Sequence, residues 1–100
     1  FMKVQLRVGE IIEAEKVKKA NKLLKFSVKI DDEVRTIVSG IAKFYTPEEM
    51  VGKQVVVVSN LKAAKLCGIE SQGMLLCACT DDDLCLVTPE KKMPSGATVR

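Results

Sequence analysis

Residues 46–58 read Thr46-Pro47-Glu48-Glu49-Met50-Val51-Gly52-Lys53-Gln54-Val55-Val56-Val57-Val58, and they predict a short helix followed at once by a strand. Thr46 and Glu49 have the T-x-x-E spacing of a capping box, in which each side chain accepts a hydrogen bond from the other residue's backbone amide. Proline suits the first helical position, and Gly52 is expected to end the helix after about a turn and a half. The four valines do not alternate with polar residues, so we expect their strand to be buried on both faces.

Upstream of this helix, apolar and polar residues alternate, which is the pattern of half-buried strands. The first strand alternates as far as Gly9, and a glycine inside such a run indicates a bulge or a sharp bend. Residues 24–30 alternate more cleanly, with Phe26 on the apolar face. The polar turn 31–33 then leads into another extended segment, residues 34–39, so the two segments are predicted to form a hairpin.

Downstream of the helix, residues 60–72 are rich in lysine and small residues and are predicted to form a loop. A buried strand is predicted at residues 74–80, a further short strand at 84–87, and an irregular tail at 89–100. Three strands, a short helix and two more strands are the element order of the OB-fold barrel. We therefore predict an all-β chain: a five-stranded OB-fold barrel with a short helix between strands 3 and 4 and an irregular C-terminal extension.

The composition argues against catalysis and against a membrane segment. With 100 residues the chain has the length of one domain, residues 1–100, and because it begins at Phe1 we expect it to start inside a longer parent. It contains no histidine, which removes Ser-His-Asp and Cys-His catalytic arrangements, and it contains no glycine-rich phosphate loop. The longest apolar run, residues 74–79, is far shorter than the roughly 20 residues of a membrane span. We expect a cytoplasmic protein without catalytic residues, metal or cofactor.

Four cysteines raise the question of a metal site or disulfides. Zinc sites usually combine C-x2-4-C pairs or include histidine, whereas Cys77 and Cys79 are spaced C-x-C. No secretion signal favours disulfides. We expect most of the cysteines to be small core residues, with Cys67 exposed in its loop. Zinc bound by Cys77, Cys79 and Cys85 remains an alternative that elemental analysis would test.

Positive charge is concentrated in parts of the chain although the net charge is only +3. Six lysines fall within residues 16–29, and such a local basic surface attracts polyanions. A solvated lysine-rich face is the alternative interpretation. Aromatic residues are only 4% of the chain, so stacking platforms for single strands are few, and recognition of a folded RNA by its shape and backbone is favoured. The ligand groove of an OB barrel would carry Lys25, Lys29, Arg35, Lys62 and Lys65.

Four segments carry recognisable motifs. Residues 60–74 read Asn60-Leu61-Lys62-Ala63-Ala64-Lys65-Leu66-Cys67-Gly68-Ile69-Glu70-Ser71-Gln72-Gly73-Met74. They resemble the NLK-x-x-K-x-x-G-x-x-S-x-G-M signature of the tRNA-binding domain family. Residues 3–11, 35–41 and 45–50 are similar to its K-V-x-L-R-V-G-x-I, R-x-I-V-S-G-I and Y-x-P-E-E-hydrophobic motifs. The family includes the C-terminal domain of methionyl-tRNA synthetases, small stand-alone tRNA-binding proteins and the endothelial-monocyte-activating polypeptide II domain.

The resemblance implies structure-dependent binding of tRNA, at the outer corner of the folded molecule and with little sequence preference. It implies a C-terminal domain or β subunit that raises the tRNA affinity of methionyl-tRNA synthetase. A stand-alone tRNA-binding protein or a chaperone-like protein-binding module is the alternative. The residues expected to contact RNA are Asn60, Lys62, Lys65, Ser71 and Met74 from the motif, with Gln72, Arg35 and Lys25 beside them.

The resemblance also implies partners and marks two departures. The partners besides tRNA are the synthetase catalytic domain, in cis or in trans, and a second copy in a homodimer. The apolar residues expected to contribute to that homodimer are Leu84, Leu86, Met93 and Val99. Many relatives have a histidine-proline pair where this chain has Val17-Lys18, and an arginine before the loop glycine where it has Cys67. The missing arginine would remove about one phosphate contact.

Overall fold

The computed structural model describes residues 4–100, which contain ten short strands and one helix. The strands are β1 Leu6–Lys16, β2 Leu24–Ile30, β3 Glu33–Ser39, β4 Gln54–Val58, β5 Ala64–Leu66, β6 Ile69–Ser71, β7 Met74–Leu75, β8 Cys77–Cys79, β9 Leu84–Leu86 and β10 Thr98–Val99. The helix α1 is Pro47–Met50. Phe1 and Lys3, the latter the first residue of the first-strand motif, lie outside the described residues.

The main sheet has the order β3-β2-β1-β4-β7, and each of these neighbouring pairs is antiparallel. Its two outer strands are joined through residues 71–72, which hydrogen-bond to β3 immediately before the chain enters β7. The Gln72 amide donates to the Thr36 carbonyl oxygen at 2.7 Å, and the Thr36 amide donates to Gln72 Oε1 at 3.0 Å. We call these contacts of residues 71–72 with β3 the barrel seam. The predicted all-β OB-like fold, with its helix between the third and fourth strands, is confirmed.

The helix forms as its sequence predicts. The Glu49 amide donates to Thr46 Oγ1, and the Thr46 amide donates to Glu49 Oε1 at 2.9 Å, so the capping box is complete. Pro47 and Met50 are buried, and Met50 belongs to the core. Immediately after the helix, the Gly52 amide donates to the Ile11 carbonyl oxygen, which holds the helix exit against β1. In residues 4–100 no helix is long and apolar enough to cross a membrane.

The core lies on the concave face of the curled sheet. Phe26 is fully buried, as its phase in β2 predicts, and the four valines of β4 are buried as well. The fully buried side chains of largest volume come from the strands and from the connection around α1: Phe26, Ile11, Leu24, Ile37, Ile41, Met50, Val28, Val55 and Val57. Burial of such side chains stabilises the fold by about 1.5–3 kcal/mol each.

The sequence predicts a bulge or a sharp bend at Gly9, but the bulge of β1 lies elsewhere in the strand. The register between β1 and β2 shifts between Ile11 and Glu13, so Ile12 is the extra residue. Gly9 itself remains in register with Val55 of β4. Its role is close packing, because a Cβ at Gly9 would lie 2.5 Å from Val28 Cγ1. A glycine inside a strand can indicate either a bulge or a close approach of a neighbouring strand, and Gly9 marks a close approach.

The second half of the chain is more broken than its sequence predicts. The expected loop 60–72 contains a hairpin, because β5 pairs with β6. The expected buried strand 74–80 is two short strands separated by Leu76, and only Leu75 within it is buried. β8 leaves the main sheet and pairs with β9. Leu86, expected at a dimer surface, is a core residue.

The C-terminal extension is irregular over most of its length but is anchored at two points. The Gln54 side chain both donates to and accepts from the backbone of Met93. Farther on, the Gly96 amide donates to the Val8 carbonyl oxygen, and β10 pairs with the first residues of β1. The tail thereby covers the edge of β1 that β2 leaves free, so the prediction of an irregular tail fails only at β10.

The contact of Gly9 with β2 predicts a strong steric effect. Gly9→Ala forces its methyl group against Val28, and overpacking of this kind costs about 1–3 kcal/mol of unfolding free energy. Gly40→Ala is the matched control, because the nearest atom to its Cβ would be 3.9 Å away. We expect the control to change stability by less than about 0.5 kcal/mol. Urea denaturation of both variants measures the difference, and equal stabilities would contradict the packing role.

Candidate nucleic-acid interface

Residues 60–71, which we call the basic hairpin, project from the barrel between β4 and the seam. Residues 61–68 are all exposed. In the hairpin Lys65 stands opposite Glu70, and the chain reverses at Cys67 and Gly68, whose φ angles are 50° and 80°. Two successive positive φ angles are characteristic of the type I′ turn, whose twist matches that of paired strands. The hairpin is therefore a regular element that presents its side chains to solvent.

The two lysines of the basic hairpin are available to a ligand. Lys62 and Lys65 are exposed. The ion pairs in residues 4–100 are Lys25–Glu15 and Arg35–Glu33, so neither hairpin lysine is neutralised by a direct partner there. Glu70 faces Lys65 in register without forming an ion pair and reduces the local positive potential at that position. The hairpin therefore offers two ammonium groups. Lys62 has no opposing charge in register, and the charge of Lys65 is partly offset by Glu70.

The hairpin begins at a fixed point. The Asn60 side chain accepts a hydrogen bond from the Gln5 amide at 2.9 Å through Oδ1. The preceding residue, Ser59, donates its amide to the Gln5 carbonyl oxygen at 2.9 Å. Asn60 therefore ties the outgoing end of the hairpin to the segment that enters β1.

The hairpin ends at the barrel seam. Ser71 is only 4% exposed, and its Oγ accepts from the Val38 amide at 3.0 Å and donates to the Gly73 carbonyl oxygen at 3.1 Å. Gln72 continues the seam through its two hydrogen bonds with Thr36. Both residues were predicted to contact RNA, and in the structure both side chains bond to the edge of β3.

Of the three other residues predicted from the sequence, two lie at the base of the hairpin and one does not. Arg35 bonds through its guanidinium to backbone oxygens on both sides of the hairpin, at Ser59 and Gln72. Met74 is 50% exposed on β7 and leaves its thioether side chain available to a ligand. Lys25 lies on β2, with β3 between it and the seam, and it pairs with Glu15 at 3.5 Å. The structure thus gathers the motif residues around one hairpin and leaves Lys25 apart from them.

Two apolar residues of the hairpin were not predicted to take part in binding. Leu61 and Leu66 are more than a third exposed on the same element as Lys62 and Lys65. No sequence signal marked them, because a leucine in a short segment of small residues is as easily a core residue as a surface one. With Met74 they give the basic surface an apolar component that can pack against riboses or bases.

Most of the cysteines lie outside the core, which corrects the expectation from their apolar character, although Cys77 packs against the core. Cys67, Cys79 and Cys85 are exposed, and Cys77 is half-buried. Burial raises the pKa of the Cys77 thiol, and the neighbouring Cys79 and Cys85 raise it further. Among the described residues no group of three metal-binding side chains is placed to hold an ion. Cys67 alone was predicted correctly as exposed.

The fold and the site together define a class: a small β-barrel domain that presents a basic, partly apolar hairpin. A family model described as "Putative tRNA binding domain" matches residues 6–98. The chain therefore belongs to the tRNA-binding domain family, as its motifs predicted.

Individual relatives agree with this assignment. The methionine–tRNA ligase of Methanococcus aeolicus is 54% identical over 99 residues, which are 99% of this chain and 15% of that protein. The crystal structure of a MetRS related protein from Pyrococcus horikoshii has 45% identity and a TM-score of 0.91, over 97% of this chain and 90% of that one. A CsaA chaperone protein from Picrophilus torridus has 27% identity and a TM-score of 0.88, over 98% and 92%.

These comparisons identify the chain as a tRNA-binding domain homologous to part of methionyl-tRNA synthetases. The chain spans about 15% of the length of the curated methionine–tRNA ligases that it matches.

The seam predicts a specific stability effect. Ser71→Ala leaves the Val38 amide without its acceptor, and an unsatisfied buried donor costs about 1–3 kcal/mol. Ser27→Ala on β2 is the control, because no side-chain hydrogen bond of Ser27 occurs in residues 4–100 and its loss should cost less than about 0.5 kcal/mol. Thermal or urea unfolding compares the two variants. Equal stabilities would show that Ser71 has no part in closing the barrel.

Proposed function

We propose that this chain binds tRNA through the basic hairpin, recognising folded shape and phosphates with little preference for sequence. The observation that carries the proposal is the exposure of Lys62 and Lys65, without ion-pair partners in residues 4–100, on a hairpin whose two ends are hydrogen-bonded to the barrel. Lysines so placed bind phosphates, and phosphate contacts supply most of the affinity of such surfaces. Membership of the tRNA-binding domain family supports RNA as the ligand.

Apolar side chains extend the proposed contact. Leu61, Leu66 and Met74 are exposed beside the lysines, and each can cover the sugar edge or face of an unpaired nucleotide. Asn60, Ser71 and Gln72 contribute mainly by holding the hairpin in place, because their side chains already bond to backbone groups. Lys25 is an outlying cation whose charge is offset by Glu15.

We propose further that residues 1–100 are one domain at the C-terminal end of a methionyl-tRNA synthetase. Attachment to the catalytic domain, in cis or in trans, would raise the local concentration of tRNA at the active site, since a second binding site makes association intramolecular. The sequence identity with methionine–tRNA ligases supports this parent. We propose the cytoplasm as the location of this protein, because free thiols such as its four cysteines are stable in a reducing compartment.

Reversal of the hairpin charges tests the function. Lys62→Glu with Lys65→Glu should lower tRNA affinity by roughly ten-fold or more and reduce the slope of log affinity against log salt by about two units, one for each lysine–phosphate pair that is removed. The unfolding midpoint should not change, because both side chains are exposed. Gel shift or fluorescence anisotropy over a series of salt concentrations measures affinity and slope together.

The control for this experiment has the same change in net charge at a distant site. Lys91 and Lys92 are exposed and precede Met93, whose backbone bonds to the side chain of Gln54 at the beginning of β4. The hairpin follows the opposite end of β4, so the two pairs of lysines are far apart. Lys91→Glu with Lys92→Glu should retain the affinity and most of the slope. Equal losses in the two double variants would reduce the effect to net charge and contradict the hairpin as the site.

A protein-binding module is the second candidate function, and the exposed apolar side chains Leu61, Leu66 and Met74 favour it specifically. The likeness to a CsaA chaperone protein gives it further support. The two functions differ in their response to salt, since phosphate binding weakens as salt rises, whereas apolar binding of an unfolded peptide strengthens in kosmotropic salts such as sulfate. Binding of unfolded peptide without binding of tRNA would replace the first proposal by the second.

We also propose that the chain forms a homodimer. Phe44, Val51 and Val87 remain more than a third exposed, and Met93 and Val99 are half-buried, so apolar surface remains outside the completed core. Sedimentation equilibrium should give a mass near twice 11.0 kDa at micromolar concentrations. A mass of 11.0 kDa at every concentration would contradict the dimer.

A further inference from the structure

Arg35 occupies an unusual position for a residue expected to bind a ligand. It stands opposite Val28 in the β2–β3 register, so its side chain begins on the same face as a fully buried core residue. From there it extends to the backbone of Ser59 and Gln72, and only 22% of the side chain is exposed. A cation in this position loses much of its hydration and needs hydrogen-bond partners.

Those partners are the two residues that flank the basic hairpin. Arg35 Nη1 donates to the Ser59 carbonyl oxygen at 2.6 Å and to the Gln72 carbonyl oxygen at 3.2 Å. Ser59 is the last residue before the hairpin, and Gln72 is the first residue after it. One nitrogen atom of one side chain therefore fixes both points at which the hairpin leaves and rejoins the barrel.

A third contact orients the guanidinium. Arg35 Nε donates to Glu33 Oε1 at 2.6 Å, and Glu33 lies two residues earlier on the same strand. Because the guanidinium is planar and rigid, fixing Nε also fixes the direction of Nη1. A lysine has no comparable fork and would reach the two carbonyl oxygens as a single rotating ammonium group.

We propose that Arg35 is a positioning residue, which clasps the base of the basic hairpin and acts on tRNA through Lys62 and Lys65 rather than by its own contact with RNA. The inference rests on the proposed function of that hairpin. A hairpin that moves freely must be ordered at the moment of binding, and that ordering lowers affinity. We call the hydrogen bonds of Arg35 to Ser59 and Gln72 the clasp. The clasp orders the hairpin before tRNA binds, so binding itself no longer includes this ordering cost. The phosphate contacts remain those of the two lysines.

This role differs from direct phosphate binding in a measurable way. Removal of a direct phosphate ligand reduces the salt slope by about one unit, whereas loss of preorganisation weakens binding with the slope unchanged. The second amino group of Arg35, Nη2, makes no hydrogen bond in residues 4–100 and is the atom through which a direct contact would act. The salt slope therefore decides between the two roles.

Two substitutions make the test. Arg35→Lys keeps the charge and removes the rigid fork, and Arg35→Met keeps an apolar stem and removes both. We expect both variants to bind tRNA roughly ten-fold more weakly than the wild type with an unchanged salt slope, since hydrogen bonds of a charged donor are being removed. Lys53→Met, at an exposed site before β4, removes one charge without touching the clasp and should bind as the wild type does.

Hydrogen exchange without tRNA tests the clasp by itself. The amides of residues 61–70 should exchange faster in both Arg35 variants, while those of the core strands β1 and β4 keep their protection. Unchanged exchange in the hairpin of both variants would overturn the proposal. If the wild type binds no tRNA, the proposed function fails, and this measurement still decides whether Arg35 holds the hairpin.

A double-mutant cycle measures whether Arg35 acts through the hairpin lysines. In the background of Lys62→Glu with Lys65→Glu, an Arg35 substitution should cause little further loss of affinity, because the groups it positions have been removed. Two results would overturn the positioning role and assign Arg35 to the phosphate contacts instead. The first is that the losses of affinity are additive. The second is that Arg35→Lys binds normally while Arg35→Met has a salt slope about one unit smaller.

Discussion

Two backbone amides of β3, those of Thr36 and Val38, find their acceptors in the side chains of Gln72 and Ser71, and the rest of the barrel depends on these bonds. β3 is the outermost strand of the main sheet. Its free edge would expose unpaired amides above a core that includes Ile37. By accepting from that edge, residues 71–72 close the sheet around the core and give the buried Val38 amide its acceptor at the same time.

Closure by two side chains and one backbone hydrogen bond, rather than by a regular strand ladder, has a consequence for the interface. A continuous strand would have to run along β3, whereas Ser71 and Gln72 make the connection within two residues. The chain is then free to form the basic hairpin on one side of the seam and β7 on the other. The element that secures the core is therefore also the fixed end of the element proposed to meet RNA. Stability and binding geometry share the same few hydrogen bonds.

The parts of this architecture that follow local rules were predictable from the sequence. The Thr46 capping box, the valines of β4 and the β2–β3 hairpin each depend on neighbouring residues, and each is present. The basic hairpin was predicted only as a loop, because its turn uses cysteine and glycine rather than the usual asparagine and glycine, and its strands are three residues long. Contacts between distant residues left no local signal, so the clasp of Arg35 on Ser59 and Gln72 could not be predicted.

The distribution of polar groups predicts that the proposed interface discriminates little between sequences. Arginine, asparagine and glutamine have planar groups that read base edges through paired hydrogen bonds, and lysine can read guanine in the same way. Here Arg35, Asn60 and Gln72 each bond to backbone groups of the protein itself. Apart from the Glu70 carboxylate, the groups that face solvent on the hairpin include ammonium ions, which attract phosphate as point charges, and apolar side chains, which accept any base or ribose. Selectivity then depends on whether the phosphates of a folded RNA match the fixed positions of the lysines, and that match is a property of shape.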